Sequence, residues 1–370
     1  MGYREQDLAA VARRERNGKR GYLVVNRLQG KHVPVRPERA LSLFGELGEL
    51  LRKEYEGERL LLIGFAETAT AIGAAVAAGL RALYMQTTRE QIDGVDYFYF
   101  SEQHSHATEQ KLVREDLDRA VPLVDRIVFV EDEITTGNTI WNIIKLLEQA
   151  YPGRLAYSAA SLLNGMDKEH LGEYEERGIR LHWLLKTCHE DYERRAREVQ
   201  GDGDYHLCDV KRPAQGFMEY RIHGYQNARR LTDGQGYREA CCRMAEEIRR
   251  IVPSGRGQRI LVVGTEEFMY PALIAAEGLE REGGEVFCHS TTRSPIVVSR
   301  EEDYPLGERY ELKSLYDARR TTYLYEIGTY DEVAVVTDAA SEEREGLYSL
   351  INALGSRGNK KIHVIRWCEK

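Results

Sequence analysis

Short apolar runs alternate with longer segments of helical spacing over most of the chain, and this alternation predicts an α/β fold. In the first half, the apolar runs predict strands at residues 60–63, 81–87, 127–130, 155–163 and 179–185. Apolar residues at helical spacing predict helices after Pro37, over residues 68–83 and over residues 139–150. Residues 1–57 as a whole are expected to be helical and then irregular.

The second half of the chain repeats landmarks of the first half in the same order. RLLLIGFAET (59–68) resembles RILVVGTEEF (259–268), QTTRE (86–90) resembles STTRSP (290–295), and RIVFVEDE (126–133) resembles EVAVVTDA (332–339). Positions 264, 293 and 338 follow positions 64, 89 and 132 by 200, 204 and 206 residues, which is a nearly constant offset. Strands rich in Val and Leu that end in Gly also look alike by chance, and that alternative stays open.

A polar, glycine-containing stretch between residues 201 and 236 separates the two halves. We place the boundary in its later part, which gives a first domain of residues 1–231 and a second of residues 232–370. A predicted helix at 237–251 opens the second half, and strands follow at 260–263 and 333–336. We expect this second domain to be a degenerate α/β domain of related architecture.

Composition removes several classes of function. The chain has 52 Lys and Arg against 60 Asp and Glu, a net charge of −8, and it lacks the cationic footprint of a nucleic-acid binder. Its six cysteines form no CxxC pair, which favours a reducing, cytoplasmic location over a disulfide framework. The apolar stretch 60–80 contains Glu67 and much Ala and Gly, so we interpret it as strand, turn and helix and expect no membrane span. The N-terminus has no apolar core of a signal peptide.

The strongest chemical signal is IVFVEDEITTGNT at residues 127–139. Four apolar residues form a buried strand, two carboxylates follow at its carboxyl end, and a Thr- and Gly-containing turn opens directly into a helix. Ligands of open parallel sheets bind at this edge. The N–H groups and the positive dipole end of a helix N-terminus attract phosphate. The stretch therefore predicts a phosphate site beside two carboxylates that could bind hydroxyl groups or a metal-bound diphosphate.

This stretch resembles the PRPP-binding signature of type I phosphoribosyltransferases, in which four hydrophobic residues and two acids precede a TGxT phosphate loop. The resemblance implies an open, mostly parallel sheet of that kind. It implies that Asp132 and Glu131 bind the ribose 2′- and 3′-hydroxyls and that residues 135–139 hold the 5-phosphate. A second loop, after the first core strand, would hold the pyrophosphate. The implied PRPP-binding residues are Phe65, Ala66, Glu67, Thr68, Glu131, Asp132, Thr135, Thr136, Gly137, Asn138 and Thr139.

The resemblance also implies a catalytic set and a cofactor. The implied catalytic residues are Arg89, His104, His106 and Asp132. Arg89 would supply a cation for the pyrophosphate, and residues 93–112 would close over the site, although a surface arginine and a polar loop with incidental histidines remain alternatives. Mg²⁺ would be held mainly through PRPP. Thr135 stands where purine salvage enzymes carry an Asp that works near the base, which argues against a purine acceptor.

A narrower resemblance covers most of the chain. TTRE, FSEQHSHAT and VEDEITTGNT, followed by Thr292, Arg293, Ser294 and Pro295, look like the orotate-phosphoribosyltransferase-like proteins with a C-terminal TRSP domain. That family is associated with tellurite-resistance gene clusters and is thought to serve the synthesis of a nucleoside-like metabolite. Thr292, Arg293 and Ser294 are accordingly candidate site residues of the second domain.

Two functional hypotheses follow. The first is a Mg²⁺-dependent enzyme that transfers 5-phosphoribose from PRPP to an unidentified small acceptor and releases pyrophosphate. The second is a PRPP or nucleotide sensor on the same fold, without catalysis. A sensor needs neither a pyrophosphate cation nor a closing loop, so Arg89 and the polar loop 93–112 favour the enzyme. The expected partners are PRPP and a small acceptor, without nucleic acid or membrane, and a homodimer is left open.

Overall fold

The computed structural model describes residues 2–15, 20–100, 110–339 and 344–369. The α-helices in these ranges are α1 (Glu5–Leu8), α2 (Pro37–Glu54), α3 (Thr70–Leu80), α4 (Arg114–Ala120), α5 (Asn138–Ala150), α6 (Lys168–Glu176), α7 (Tyr192–Glu198), α8 (Gly234–Ile251), α9 (Tyr270–Glu280) and α10 (Arg344–Ser356). The strands are β1 (Ala9–Arg13), β2 (Tyr22–Asn26), β3 (Leu60–Gly64), β4 (Leu83–Gln86), β5 (Tyr97–Tyr99), β6 (Lys111–Val113), β7 (Arg126–Ile134), β8 (Ala156–Asn164), β9 (Arg180–Lys186), β10 (Asp204–Leu207), β11 (Met218–His223), β12 (Thr232–Asp233), β13 (Arg259–Gly264), β14 (Glu285–Ser290), β15 (Glu308–Lys313), β16 (Thr321–Tyr325), β17 (Glu332–Thr337) and β18 (Ile362–Cys368).

The chain groups into two units, each of which is discontinuous in sequence. Unit 1 comprises Met1–Tyr3, Leu41–Thr187 and Gln226–Ala240, and unit 2 comprises Arg4–Ala40, Cys188–Tyr225 and Cys241–Lys370. The sequence-based domain boundary between residues 231 and 232 stays a prediction.

Unit 1 is built on a sheet with the strand order β12-β4-β3-β7-β8-β9. Neighbouring strands are parallel except β12, which runs antiparallel to β4. The central strands read as apolar runs because helices and loops cover such sheets on both faces. All residues of β3 and residues 127–130 of β7 are buried. Helices α3 and α5 follow β3 and β7, so both begin at the carboxyl edge of the sheet.

Unit 2 contains a wholly parallel sheet with the order β11-β18-β17-β13-β14. Its strands β14-β13-β17-β18 repeat the order β4-β3-β7-β8 of unit 1. Helices α9 and α10 come after β13 and β17, as α3 and α5 come after β3 and β7. The outer strand differs, because β11 precedes the other strands of its sheet in sequence, whereas β9 follows β3, β4, β7 and β8. The parallel sheet predicted for the second half is confirmed, and the shared strand order supports an internal repeat.

Each unit adds an antiparallel pair of strands at an equivalent point. The pair is β5 and β6 in unit 1, and β15 and β16 in unit 2. A backbone bridge joins Thr88 to Lys111 of β6, and the corresponding bridge joins Thr292 to Tyr323 of β16. The segment between β5 and β6 therefore corresponds to the segment between β15 and β16.

The expectation for residues 1–57 is wrong at residues 9–13 and 22–26. These residues form β1 and β2, which pair antiparallel with Ala9 opposite Asn26. The runs AAVAR and YLVVN are too short for periodicity to separate a strand from a buried helix. The helix predicted after Pro37 is confirmed as α2.

The other predicted elements are confirmed, with ends displaced by no more than four residues. Residues 60–80 form β3, a turn and α3, as the sequence predicts. Within the described ranges, no helix is long and apolar enough to cross a membrane.

Candidate functional site

Strand β7 delivers the acidic residues of the motif to the carboxyl edge of the unit 1 sheet. Its apolar residues 127–130 are fully buried, and Glu131, Asp132 and Glu133 after them are partly exposed. Side chains alternate along a strand, so Glu131 and Glu133 lie on one face of β7 and Asp132 lies on the other. Three successive acidic residues therefore lie at one strand end.

The turn after β7 leads directly into α5. Gly137 is the residue before the helix and has a left-handed backbone with φ of +71°. The N-cap residue Gly137 has no side chain to cap α5, and the Asn138 N–H makes a long hydrogen bond of 3.4 Å to Thr136 Oγ1. The N–H groups of this first turn suit an external anion. A recess of about 90 Å³ lies here, lined by Glu131, Glu133 and residues 134–140.

A hydrogen bond connects this motif with the loop after β3. The Thr68 hydroxyl donates to Asp132 Oδ1 at 2.6 Å. The same loop is fixed to the sheet, because the Phe65 N–H donates to the Val130 carbonyl at 3.0 Å and the Ala66 N–H donates to Thr87 Oγ1 at 2.7 Å. The structure thus brings together the two loops that the sequence singles out.

The carboxyl groups of Glu131 and Asp132 resist ionisation. Burial raises the pKa of Glu131 well above its ordinary value, and the neighbouring Asp132 adds to the rise. Arg89, which follows β4, acts in the opposite direction on the pKa of Glu131. Burial also raises the pKa of Asp132, while the hydrogen bond from Thr68 lowers it. Hydroxyl donors or a cation bound here would stabilise the charged forms of both groups.

Sequence reasoning missed the contacts that hold the turn between β7 and α5. The Tyr174 hydroxyl, on α6, donates to the Gly137 carbonyl at 2.6 Å, and the Trp141 N–H donates to the same carbonyl at 2.9 Å. A Cβ at Gly137 would overlap the Tyr174 hydroxyl and lie 2.6 Å from Met166 Cε. Glycine is therefore required by the backbone and by this packing, whereas the approach of a phosphate to it stays a prediction. Nothing in the local sequence signals a partner 37 residues away.

The flanks of the predicted closing loop form the pair β5–β6. Phe98, Leu112 and Val113 are buried and anchor it. Thr87 links the pair to the sheet, because its hydroxyl donates to Gln110 Oε1 at 2.9 Å. The predicted residues His104 and His106 lie outside the described residues.

The predicted residues of the second half follow β14. Thr292 is fully buried, and its N–H and carbonyl exchange two hydrogen bonds with Tyr323 at 2.9 and 2.7 Å. Arg293 Nε donates to Glu266 Oε2 at 2.6 Å. The Ser294 N–H donates to Thr292 Oγ1 at 3.2 Å. Glu266, which the sequence did not single out, is thus the partner of the central residue of this motif.

Comparison with protein families gives two matches that lie in tandem. A family described as phosphoribosyl transferase matches residues 8–187. A TRSP domain, described as lying C-terminal to that transferase, matches residues 223–354. A search of the curated proteins returned no match.

Several solved structures show a likeness to part of the chain. An adenine phosphoribosyltransferase from Rhodothermus marinus is 16% identical over 49% of this chain and 94% of its own, with a TM-score of 0.34. One from Leishmania tarentolae is 14% identical over 51% and 86%, with a TM-score of 0.34. A hypoxanthine-guanine phosphoribosyltransferase from Bacillus anthracis is 13% identical over 42% and 80%, with a TM-score of 0.27.

At these TM-scores, the likenesses carry no argument. The mostly parallel sheet and the two family matches carry the assignment instead. Residues 8–187 belong to the phosphoribosyl transferase family, and a TRSP domain follows them at residues 223–354.

Proposed function

We propose that unit 1 transfers 5-phosphoribose from PRPP to a small acceptor and releases pyrophosphate. The observation that carries this proposal is the hydrogen bond of 2.6 Å between Thr68 and Asp132. It joins the loop after β3 to the acidic end of β7, next to the start of α5. A ligand with a hydroxylated sugar between two phosphate groups suits such an edge.

Asp132 and Glu131 are the proposed acceptors for the ribose hydroxyls. Burial raises the pKa of both carboxyl groups, Asp132 adds to the rise at Glu131, and Glu133 adds to the rise at Asp132. Two hydroxyl donors from a ribose diol would replace hydration that these groups have lost. The gain would offset part of the desolvation cost that the empty site carries.

The first turn of α5 and the hydroxyl groups of Thr135, Thr136 and Thr139 are the proposed 5-phosphate site. Helix N–H groups and the helix dipole would stabilise the phosphate charge. Tyr174 is a positioning residue in this arrangement, because its hydroxyl fixes the Gly137 carbonyl at the start of the turn. This contact keeps the N–H groups of the turn in place before the ligand arrives.

The loop of Phe65, Ala66, Glu67 and Thr68, together with Arg89, is the proposed pyrophosphate site. During transfer, the bond from ribose C1 to pyrophosphate breaks, a bond from C1 to the acceptor forms, and the acceptor loses a proton. Negative charge grows on the departing pyrophosphate, where a nearby guanidinium stabilises it most effectively. His104 and His106 are proposed to reach this charge or the acceptor proton from the loop 93–112, which would also exclude water.

The donors at this edge are compatible with Mg²⁺. Mg²⁺ prefers oxygen ligands and usually binds through one or two carboxylates plus substrate phosphates. The adjacent Glu131, Asp132 and Glu133 supply carboxylates, but no group of three metal-ligating side chains converges within the described residues. We therefore propose that one or two of these carboxylates meet a Mg²⁺ ion that PRPP brings, and that the bound ion stabilises pyrophosphate as it leaves.

Titration calorimetry with PRPP and Mg²⁺ tests the site. Asp132→Asn should weaken PRPP binding roughly 10- to 100-fold, since it removes a charged acceptor of hydrogen bonds. Asp125→Asn is the matched control. Asp125 immediately precedes β7 at the other end of the strand, where it pairs with Arg59. Unchanged PRPP affinity in Asp132→Asn, or an equal loss in Asp125→Asn, would contradict the assignment.

A turnover assay distinguishes the hypothesis of an enzyme from the hypothesis of a sensor. Wild-type protein should release pyrophosphate from PRPP only when a suitable base or other small nucleophile is present, and a mass-matched ribotide should form. The acceptor is to be found by screening nitrogen heterocycles, with orotate-like pyrimidines first because Thr135 replaces the purine-type Asp. Binding of PRPP without ribotide formation across an exhaustive panel would favour the sensor. A nucleoside-like product remains a proposal from the family resemblance.

A further inference from the structure

In unit 1, hydrogen bonds donated by backbone N–H groups connect the loop after β3 with the segment after β4 and fix that segment. The Thr87 N–H donates to the Gly64 carbonyl at 3.0 Å, and the Ala66 N–H donates to Thr87 Oγ1 at 2.7 Å. The Glu90 N–H donates to Thr88 Oγ1 at 2.9 Å. These bonds hold Ala66 against Thr87, the first residue of the segment 87–89 with the sequence TTR.

The loop after β13 repeats the set in unit 2. The Thr291 N–H donates to the Gly264 carbonyl at 3.0 Å, and the Glu266 N–H donates to Thr291 Oγ1 at 3.0 Å. The Ser294 N–H donates to Thr292 Oγ1 at 3.2 Å. By this correspondence, Glu266 occupies the position of Ala66, and Arg293 occupies the position of Arg89.

The carboxylate of Glu266 is the centre of a buried cluster. Its Oε2 accepts from Arg293 Nε at 2.6 Å and from Arg320 Nη1 at 2.9 Å, and its Oε1 accepts from Ser314 Oγ at 2.5 Å. Glu266 is 1% exposed, and the side chains of Arg293 and Arg320 are 11% and 18% exposed. Two guanidinium groups and a hydroxyl thus converge on one anionic group.

Further charges surround the same cluster. Lys31 is completely buried, and its Nζ donates to the carbonyls of Glu266 and Thr291 at 2.8 and 2.9 Å. Glu267 Oε1 lies 3.9 Å from Arg293 Nη2, beyond a direct hydrogen bond. Three cations therefore lie beside two carboxylates.

The hairpin of unit 2 supplies half of the cluster. Ser314 follows the last residue of β15, and Arg320 precedes the first residue of β16. The turn between these strands therefore reaches the loop after β13. The loop after β13, the turn between β15 and β16, and residues 291–293 together enclose the Glu266 carboxylate.

We propose that this enclosure is an oxyanion site for phosphate, and that the carboxylate of Glu266 keeps it filled. Arginines bind carboxylate and phosphate through the same donors, so the enclosure is chemically suited to either. A carboxylate on the same chain has no translational entropy to lose and excludes a free anion. Unit 2 then takes no phosphorylated ligand in the wild-type protein. This inference does not rest on the function proposed for unit 1.

Removal of the Glu266 side chain tests the proposal in the full-length protein. Glu266→Gly is the preferred variant, because the backbone at this position has φ of +49°, which suits glycine. The loss of charge between two arginines should lower the unfolding midpoint temperature by on the order of 10 °C. Inorganic phosphate at constant ionic strength should then raise the midpoint in a saturable way, as expected for a ligand of the native state. The wild-type protein is measured in parallel, so that any rise in the midpoint temperature caused by phosphate bound to unit 1 can be subtracted.

Two controls define the site. Glu266→Gln removes the charge but keeps the volume, so it should be destabilised without rescue by phosphate. Arg293→Gln added to Glu266→Gly should remove the rescue. The proposal is overturned if phosphate stabilises Glu266→Gly no more than wild type, or if rescue persists without Arg293. It is also overturned if Glu266→Gly and Glu266→Ala both fail to fold even in phosphate.

Discussion

The loops after β3 and β13 share one backbone arrangement but treat charge in opposite ways. In unit 1, residue 66 is Ala, and the nearby Glu131 and Asp132 have pKa values raised by burial. In unit 2, Glu266 stands at the equivalent position and is neutralised by two arginines. The Glu266 carboxylate is paired within the chain, whereas a ligand is proposed to balance the acids of unit 1. Active sites commonly carry such a cost in stability.

The acids at the ends of β7 and β17 repeat this contrast. Asp132 accepts a hydrogen bond from one hydroxyl, that of Thr68, at 2.6 Å. Asp338 accepts from the hydroxyls of Tyr316 and Tyr225 at 2.6 and 2.7 Å. The tyrosines take the place that ribose hydroxyls are proposed to take in unit 1. Asp338 is thus satisfied by side chains of the chain itself, whereas a ligand is proposed to satisfy Asp132.

The largest effect on PRPP binding is expected from the turn between β7 and α5, which belongs to unit 1. Gly137→Val should abolish measurable PRPP binding, because the new side chain overlaps Tyr174 and the backbone has positive φ. Gly153→Val is the matched control, since Gly153 also has positive φ but open space around its Cβ position. Calorimetry should show normal PRPP affinity for Gly153→Val. If both variants bind PRPP normally, the turn after β7 is not the phosphate site.

The loop histidines should have the next largest effect. His104→Ala and His106→Ala are each expected to lower turnover by roughly 10- to 100-fold and to change PRPP affinity little. Their proposed contacts strengthen as charge builds on pyrophosphate. The hairpin turn of unit 2 already reaches an anion through Arg320. If both variants keep full turnover, the loop 93–112 does not act on pyrophosphate as Arg320 in the hairpin turn of unit 2 acts on Glu266.

A matched pair of substitutions tests the contrast between the acids. Asp132→Asn should stabilise the ligand-free protein by about 1 kcal/mol, because it removes a buried charge and keeps an acceptor for Thr68. Asp338→Asn should destabilise it by about 1 kcal/mol, because it weakens two charge-assisted bonds from tyrosines. Urea unfolding measures both. Equal signs for the two variants would show that unit 2 is no better satisfied than unit 1.

The smallest effect concerns pH and one histidine in each unit, His182 and His289. Burial lowers the pKa of His182 and of His289 to about 4. Between about pH 6.5 and pH 4 the unfolded chain binds these protons and the folded chain does not, so stability falls as pH falls. His289→Gln should flatten this dependence more than His182→Gln, because His182 is partly exposed and screened. Urea midpoints at pH 7 and pH 5 provide the comparison, and equal slopes for wild type and His289→Gln would contradict it.

The sequence was sufficient for features that are local. The strand, acids and turn at 127–139 appear in the structure as β7, the Gly137 turn and α5, since apolar runs and glycine signal such elements directly. The internal repeat was also visible, because its landmarks keep their order and spacing. The strands β1 and β2 were missed, since five-residue apolar runs do not distinguish a strand from a helix.

Contacts between distant residues were beyond the sequence. Tyr174 reaches Gly137 only because α6 packs beside the turn. Glu266 reads as one of two glutamates in an ordinary loop, and its role depends on Arg293 and Arg320, which lie 27 and 54 residues away. Such partners become neighbours through the sheet order and the hairpin, neither of which periodicity reveals.

The hairpin turn that carries Ser314 and Arg320 has a consequence for chemistry directed at this protein. It holds a carboxylate against the loop after β13 with hydrogen bonds of 2.5 to 2.9 Å. Unit 2 is therefore an example of how side chains around such a loop bind an acidic group. An acidic group presented to unit 1 from above Ala66, in the pose of the Glu266 side chain, is the starting point that this example offers to ligand design.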